Sequence, residues 1–147
     1  MVRFEFFGAD PLPTVRLSGG EILSLPAHHT RFSHVWDPDY QEITMATGHI
    51  RRRLRGHRLT VHLQWQVVPV GFLDGVERPG WDLLATLHDR GRFEYSKTGA
   101  APWVWLASTE PLHWERARVF IPEGAAVRWE SEDLFPSARS LEEQWQN

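Results

Sequence analysis

The chain has no cysteine, a single lysine (Lys97) and a single asparagine (Asn147) among 147 residues. Without cysteine it has no disulfide framework, no thiolate nucleophile and no Cys-ligated zinc or iron–sulfur cluster. The redox compartment stays open, because a Cys-free protein suits any. No apolar run approaches the ~18 residues that cross a bilayer. The start, Met1-Val2-Arg3-Phe4-Glu5-Phe6-Phe7, has no apolar core or small-residue cleavage site of a signal peptide, so neither membrane insertion nor secretion is expected. An excess of one charge is also missing. Sixteen basic residues against nineteen acidic ones leave a net charge of −3, which argues against nucleic acid as a partner. All the basic residues except Lys97 are arginine, a bias that fits a GC-rich genome or a hot habitat equally.

The motifs of common enzyme sites are absent as well. There is no H-E-x-x-H, no close His-x-His, no G-x-S-x-G and no phosphate-binding glycine loop. His28 and His29 are adjacent, and His57 and His62 are five apart on a strand pattern, so each pair points to opposite faces and reads as surface or edge. Asp37-Pro38-Asp39 could offer two carboxylates to a cation but reads first as a turn. The expectation is a protein without catalysis, cofactor, metal or small-molecule substrate.

What is present is a core-forming composition: 41% hydrophobic and 24% charged residues, with 8 Trp and 8 Phe. Residues 1–133 are expected to form one β-sandwich domain, followed by a polar tail or short helix over 134–147. Val2–Phe7 reads as a strand ended by Gly8-Ala9-Asp10-Pro11. Val15–Leu17 and Glu21–Leu25 flank the hairpin signal Ser18-Gly19-Gly20. Thr30–Trp36 is extended up to Asp37, and a long β region follows from Glu42 to Val68. Within it Leu59, Val61, Leu63, Trp65 and Val67 alternate with polar residues, as on a strand with one buried face. Then come a loop and a helix opened by Pro79 and closed by Gly91, with Trp81, Leu84, Leu87 and His88 on one side. Arg92–Ser96, Pro102–Ala107, Arg116–Ile121 and Ala126–Glu130 complete the strands, the last two joined through Pro122-Glu123-Gly124. Ser140, with Glu143 three residues on, marks the start of a terminal helix. The fold class is mainly β: an antiparallel β-sandwich with one flanking α-helix.

Two features stand above this background. Arg51-Arg52-Arg53-Leu54-Arg55-Gly56-His57-Arg58 carries five arginines and no acid. Such a run either guards a strand edge or meets phosphate or acidic partner residues through bidentate guanidinium contacts. From Glu130 onward, Glu130, Glu132, Asp133, Glu142 and Glu143 face only Arg139. A basic arm and an acidic end on one subunit can meet on neighbouring subunits, and head-to-tail contacts close into rings. Arg51, Arg52, Arg53, Arg55, Arg58, Glu130, Glu132 and Asp133 are therefore the expected subunit interface. The second feature is tryptophan. Trp65 and Trp81 are expected in the core, while Trp103 and Trp105 share a strand face that suits either the core or a sugar-stacking platform.

The succession Gly48-His49-Ile50-Arg51-Arg52-Arg53, Gly56-His57-Arg58, Trp65-Gln66-Val67, the helix Trp81–Arg90 and Phe93-Glu94-Tyr95 resembles small tail proteins of long-tailed bacteriophages, in particular distal-tail and tail-tube-associated ring components. The resemblance covers about residues 42–96 and is one of residue type and order. It implies a structural virion protein, assembled in the host cytoplasm, that forms a homo-oligomeric ring with neighbouring tail proteins. The alternative is a carbohydrate-binding module using Trp103 and Trp105.

Overall fold

The computed structural model describes residues 1–7, 13–27, 29–108, 113–118 and 121–146, with residues 113–118 and 121–123 described as backbone. The expected turn at Gly8–Pro11 and the end of the expected strand Arg116–Ile121 lie partly or wholly outside these residues. The strands are β1 (Val2–Glu5), β2 (Thr14–Arg16), β3 (Ile22–Ser24), β4 (Arg31–Thr44), β5 (Ile50–Trp65), β6 (Gly71–Leu73), β7 (Val76–Arg78), β8 (Arg92–Ser96), β9 (Val104–Ser108), β10 (His113–Arg118) and β11 (Ile121–Ser131). Helix α1 (Gly80–Arg90) lies between β7 and β8, and α2 (Ala138–Gln146) follows β11.

The protein is mainly β and antiparallel. Its strands join in one sheet of order β1-β4-β5-β11-β9-β8-β2-β3-β6-β7, with β10 paired to β11 off this path. The two ends, β1 and β7, do not pair, so the sheet is open, and the pairing does not divide it into the two sheets of the expected sandwich. The alternation read in β5 sets the inner face. Leu59, Val61, Leu63 and Trp65 are buried and stand in register with Trp36, His34 and Phe32 of β4 and with Trp129, Val127 and Ala125 of β11. Val67 lies beyond the strand and is exposed. From the other half of the sheet, Val15, Leu23, Phe93, Tyr95 and Leu106 join the same core cluster.

A flat sheet could not do this. β4 and β8 are four places apart in the order, which at ~4.8 Å per strand is roughly 19 Å. Yet the His34 ring and the Tyr95 hydroxyl are 2.6 Å apart. The sheet is therefore curled so that its inner surface meets itself.

Several local expectations are corrected. Asp37-Pro38-Asp39 is not a turn, since β4 runs through it with Pro38 opposite His57. The backbone N–H and C=O of His57 both bond Phe135, away from β4. The Pro38–His57 pair is thus a non-hydrogen-bonded one that asks no N–H of proline. Likewise Pro122-Glu123-Gly124 is not a connection but the start of β11, where two register shifts against β10 tolerate proline and glycine. The loop before the helix holds the hairpin β6–β7, turned by Asp74 (φ 51°) and Gly75 (φ 79°), a primed turn that follows strand twist.

Helix α1 begins after Pro79, and Gly91 (φ 74°) closes it with its N–H on the Leu87 carbonyl. Its buried stripe is Gly80, Leu83, Leu84 and Leu87, so Trp81, expected in the core, is 42% exposed. The stripe's first member has no side chain because there is no room for one: a Cβ at Gly80 would stand 2.0 Å from the Pro69 carbonyl oxygen. Helix α2 starts two residues before the expected Ser140. Ser137 caps it by accepting the Ser140 N–H at 3.3 Å, and Glu143 pairs with Arg139 instead. Its buried face is Ala138, Leu141, Glu142 and Trp145.

Truncating Leu63 to Ala in this core is expected to cost about 2–5 kcal/mol. Removing the half-exposed Trp81 ring should cost less than about 1 kcal/mol. Urea denaturation of the two variants checks both values, and equal losses would contradict the assigned core.

Candidate functional site

The arginine run lies on a ribbon that leaves the body of the sheet. β1 pairs with β4 only as far as Trp36, and β11 pairs with β5 only from Thr60 onward. Beyond those points, apart from the His57–Phe135 bridge, β4 and β5 pair only with each other among the described residues, and every residue from 40 to 55 is exposed. Five strand residues on β4 alone carry this ribbon about 17 Å outward. Its tip is a turn in which the Gly48 N–H (φ 86°) donates to the Met45 carbonyl and the Met45 N–H to that of His49. At its base Gly56 (φ 152°) sits where a Cβ would lie 2.9 Å from that of Leu134, at a register shift between Asp39 and Tyr40.

Register sorts the ribbon into two faces. Tyr40, Leu54, Glu42, Arg52, Thr44 and Ile50 share one, while Gln41, Arg53, Ile43 and Arg51 share the other. On the first face Arg52 donates to Glu42 at 3.2 Å. On the second, Arg51 and Arg53 form no ion pair with a described residue, and neither does Arg55 beside the register shift. Arg58 belongs to the base rather than the arm. It donates to the Ser131 carbonyl at 2.7 Å and pairs with Glu130 (3.5 Å) and Asp39 (3.9 Å). Glu132 holds Arg92 at 2.5 Å, and Asp133 is exposed. So the structure gathers four of the expected arginines on one free ribbon, whereas Glu130 and Glu132 are engaged within their own chain.

Trp103 and Trp105 are half-buried, and each carries a guanidinium. Arg16 stands 4.5 Å from the Trp103 ring centre and Arg92 stands 3.9 Å from that of Trp105. Arg16 is itself held by Glu94 at 2.6 Å. One face of each ring is thus covered by a cation of the same chain.

A second cluster is wholly buried and was not among the expected site residues. His34 Nδ1 lies 2.6 Å from Glu142 Oε1, His34 Nε2 lies 2.6 Å from the Tyr95 hydroxyl, and Trp36 Nε1–H donates to the same Glu142 oxygen at 2.9 Å. This network assigns a neutral imidazole, with Nδ1–H donating to the carboxylate and the Tyr95 O–H donating to Nε2. Burial lowers the His34 pKa below its ordinary value despite the opposing pull of Glu142, and the Lys97 charge lowers it further. Burial, then the Glu142 charge, raises that of Tyr95 well above the usual phenol. Glu142 Oε2 and Ser33 Oγ have no hydrogen-bond partner among the described residues.

The signal for this cluster was in the sequence. His34 sits on the inward alternation Phe32-His34-Trp36, and Glu142 lies on the apolar stripe of Leu141 and Trp145. His34, not among the histidines read as surface or edge, is fully buried. His29, His57 and His62 are half-buried, and His28 lies outside the described residues. The cluster is closed to solvent, so it has no path for a substrate, and its chemical work is to tie α2 to the sheet. Among the described residues no group of three or more His, Asp or Glu is placed to hold a metal ion. No protein-family model matches the chain, and no curated protein matches its sequence.

The buried cluster sets a pH dependence. The unfolded chain takes a proton on His34 below about pH 6.5, which the folded chain resists, so stability falls as pH drops through that value. Above about pH 10 the unfolded chain ionises Tyr95 more readily than the folded one, and stability falls again. Melting temperatures from pH 4.5 to 8 should fall more steeply on the acid side for the parent than for His34→Gln. Glu142→Ala strands two buried donors and is expected to cost about 2–5 kcal/mol.

Proposed function

We propose that the protein is a structural subunit that works by self-assembly rather than catalysis, as a ring-forming component of a phage tail of the distal-tail or tube-associated kind. In this reading the two halves of the curled sheet act as the layers of a sandwich, and the ribbon is the assembly arm. The partners are further copies of the chain and neighbouring tail proteins in the virion.

The observation that carries the reading is the ribbon over residues 40–55. Edge protection accounts for arginine on a free strand. It does not account for Tyr40, Ile43, Ile50 and Leu54, which are 41–65% exposed on the same short hairpin. A two-stranded ribbon bare on both faces is marginal alone in water. Covering those side chains against another subunit recovers roughly 25 cal/mol for each Å² of apolar surface removed from water.

The parent should sediment as a closed oligomer, and the oligomer should weaken as salt rises above ~0.15 M, since the ribbon's charges are exposed. Arg51→Glu with Arg53→Glu should keep the parent's circular dichroism yet sediment as a monomer. A parent that is monomeric at low salt, or a double variant that assembles unchanged, would overturn the proposal.

A further inference from the structure

At the far end of the strand order from β4 and β5 lie β6 and β7, with α1 beside them. Between the helix and this hairpin runs a groove of about 350 Å³, lined by Leu73, Leu83 and Ala85 together with Arg78, Asp82 and Asp89. Asp82 and Asp89 are seven residues apart, so they stand on one side of α1 about 10 Å from each other along its axis. Both are exposed, and neither carboxylate forms an ion pair with a described residue. The groove therefore combines a partly apolar lining with two negative charges that form no ion pair with a described residue and outnumber Arg78.

The second face of the ribbon is its complement. Arg51 stands directly across from Ile43 and Arg53 across from Gln41, with the two arginines about 7 Å apart at the backbone. Their long side chains can bridge the difference to the aspartate spacing. Elsewhere in the acidic part of the chain, Glu130 and Glu132 already hold Arg58 and Arg92, so docking there would have to break existing pairs.

We infer that the groove between α1 and the β6–β7 hairpin receives the arginine face of the ribbon from a second copy of this chain. Ile43 enters the apolar lining, and Arg51 and Arg53 pair with Asp82 and Asp89. The inference rests on the proposal that the chain assembles through its ribbon, and it names the surface that the ribbon meets. Ribbon and groove are different patches, so the contact is head-to-tail, the type that closes into a ring when the rotation permits.

The test is sedimentation velocity on the full chain at low salt. The proteins compared are the parent, Arg51→Glu with Arg53→Glu, Asp82→Arg with Asp89→Arg, and the combination of all four. Each charge reversal is expected to weaken assembly by at least about tenfold, and the combination to recover most of it. Asp82 lies in the first turn of α1, where a cation opposes the helix dipole. Asp89→Arg alone is therefore measured as well, because a cation in the last turn favours the helix and any loss of assembly is then not a loss of fold. Loss on reversing the arginines with none on reversing Asp82 and Asp89 would overturn the groove and leave ribbon assembly standing. Two weakened reversals that do not rescue each other would overturn direct pairing. A monomeric parent would overturn assembly itself.

Discussion

The Oε1 atom of Glu142 accepts from His34 and from Trp36, two residues on one inward face of β4, and it reaches them from α2. His34 passes the connection on to Tyr95 of β8, at the other side of the curl. Apolar contact drives the curled sheet shut but is indifferent to small slides between its halves. Hydrogen bonds at 2.6–2.9 Å are not, and a buried donor left without its acceptor costs about 1–3 kcal/mol. The register of β4 over β8 and the seat of α2 are thus fixed together. Trp145 completes the seat by donating to the Pro102 carbonyl and packing edge-on against the Tyr95 ring.

β4 and β5 each serve two structures. One half of each strand is body, flanked on its outer side by β1 or β11, and the other half is ribbon. The change falls at Pro38 and Gly56. Proline cannot offer an N–H to a further strand, and His57 directs its backbone to Phe135. Glycine accepts the positive φ of the register shift and the close approach of Leu134. Arg58, held by Ser131, Glu130 and Asp39, fastens this junction from the side.

Much of the sheet was legible because β5 is flanked on both sides and shows a strict alternation, and because the Ser18-Gly19-Gly20 turn is a local signal between two apolar runs. The hairpin β6–β7 was not, since strands of three residues carry too little periodicity and their Asp74-Gly75 turn is a two-residue cue. The α1 stripe was rotated because a glycine is one of its members, and a count of apolar side chains passes over it. The arginine ribbon was visible as charge, but its two faces depend on a register that only the fold sets. The His34 cluster joins residues 108 positions apart. Each half lay on an apolar pattern, and no rule of spacing connects a histidine on a strand to a glutamate on a distant helix.

The ribbon joins the body without an intervening loop, because its two strands are the core strands prolonged. A pull on the Met45–His49 turn runs along the axes of β4 and β5. It therefore loads the β1–β4 and β5–β11 ladders in shear, with several rungs resisting at once, instead of peeling them one rung at a time. The arm and the folded body of the chain form one tensile element.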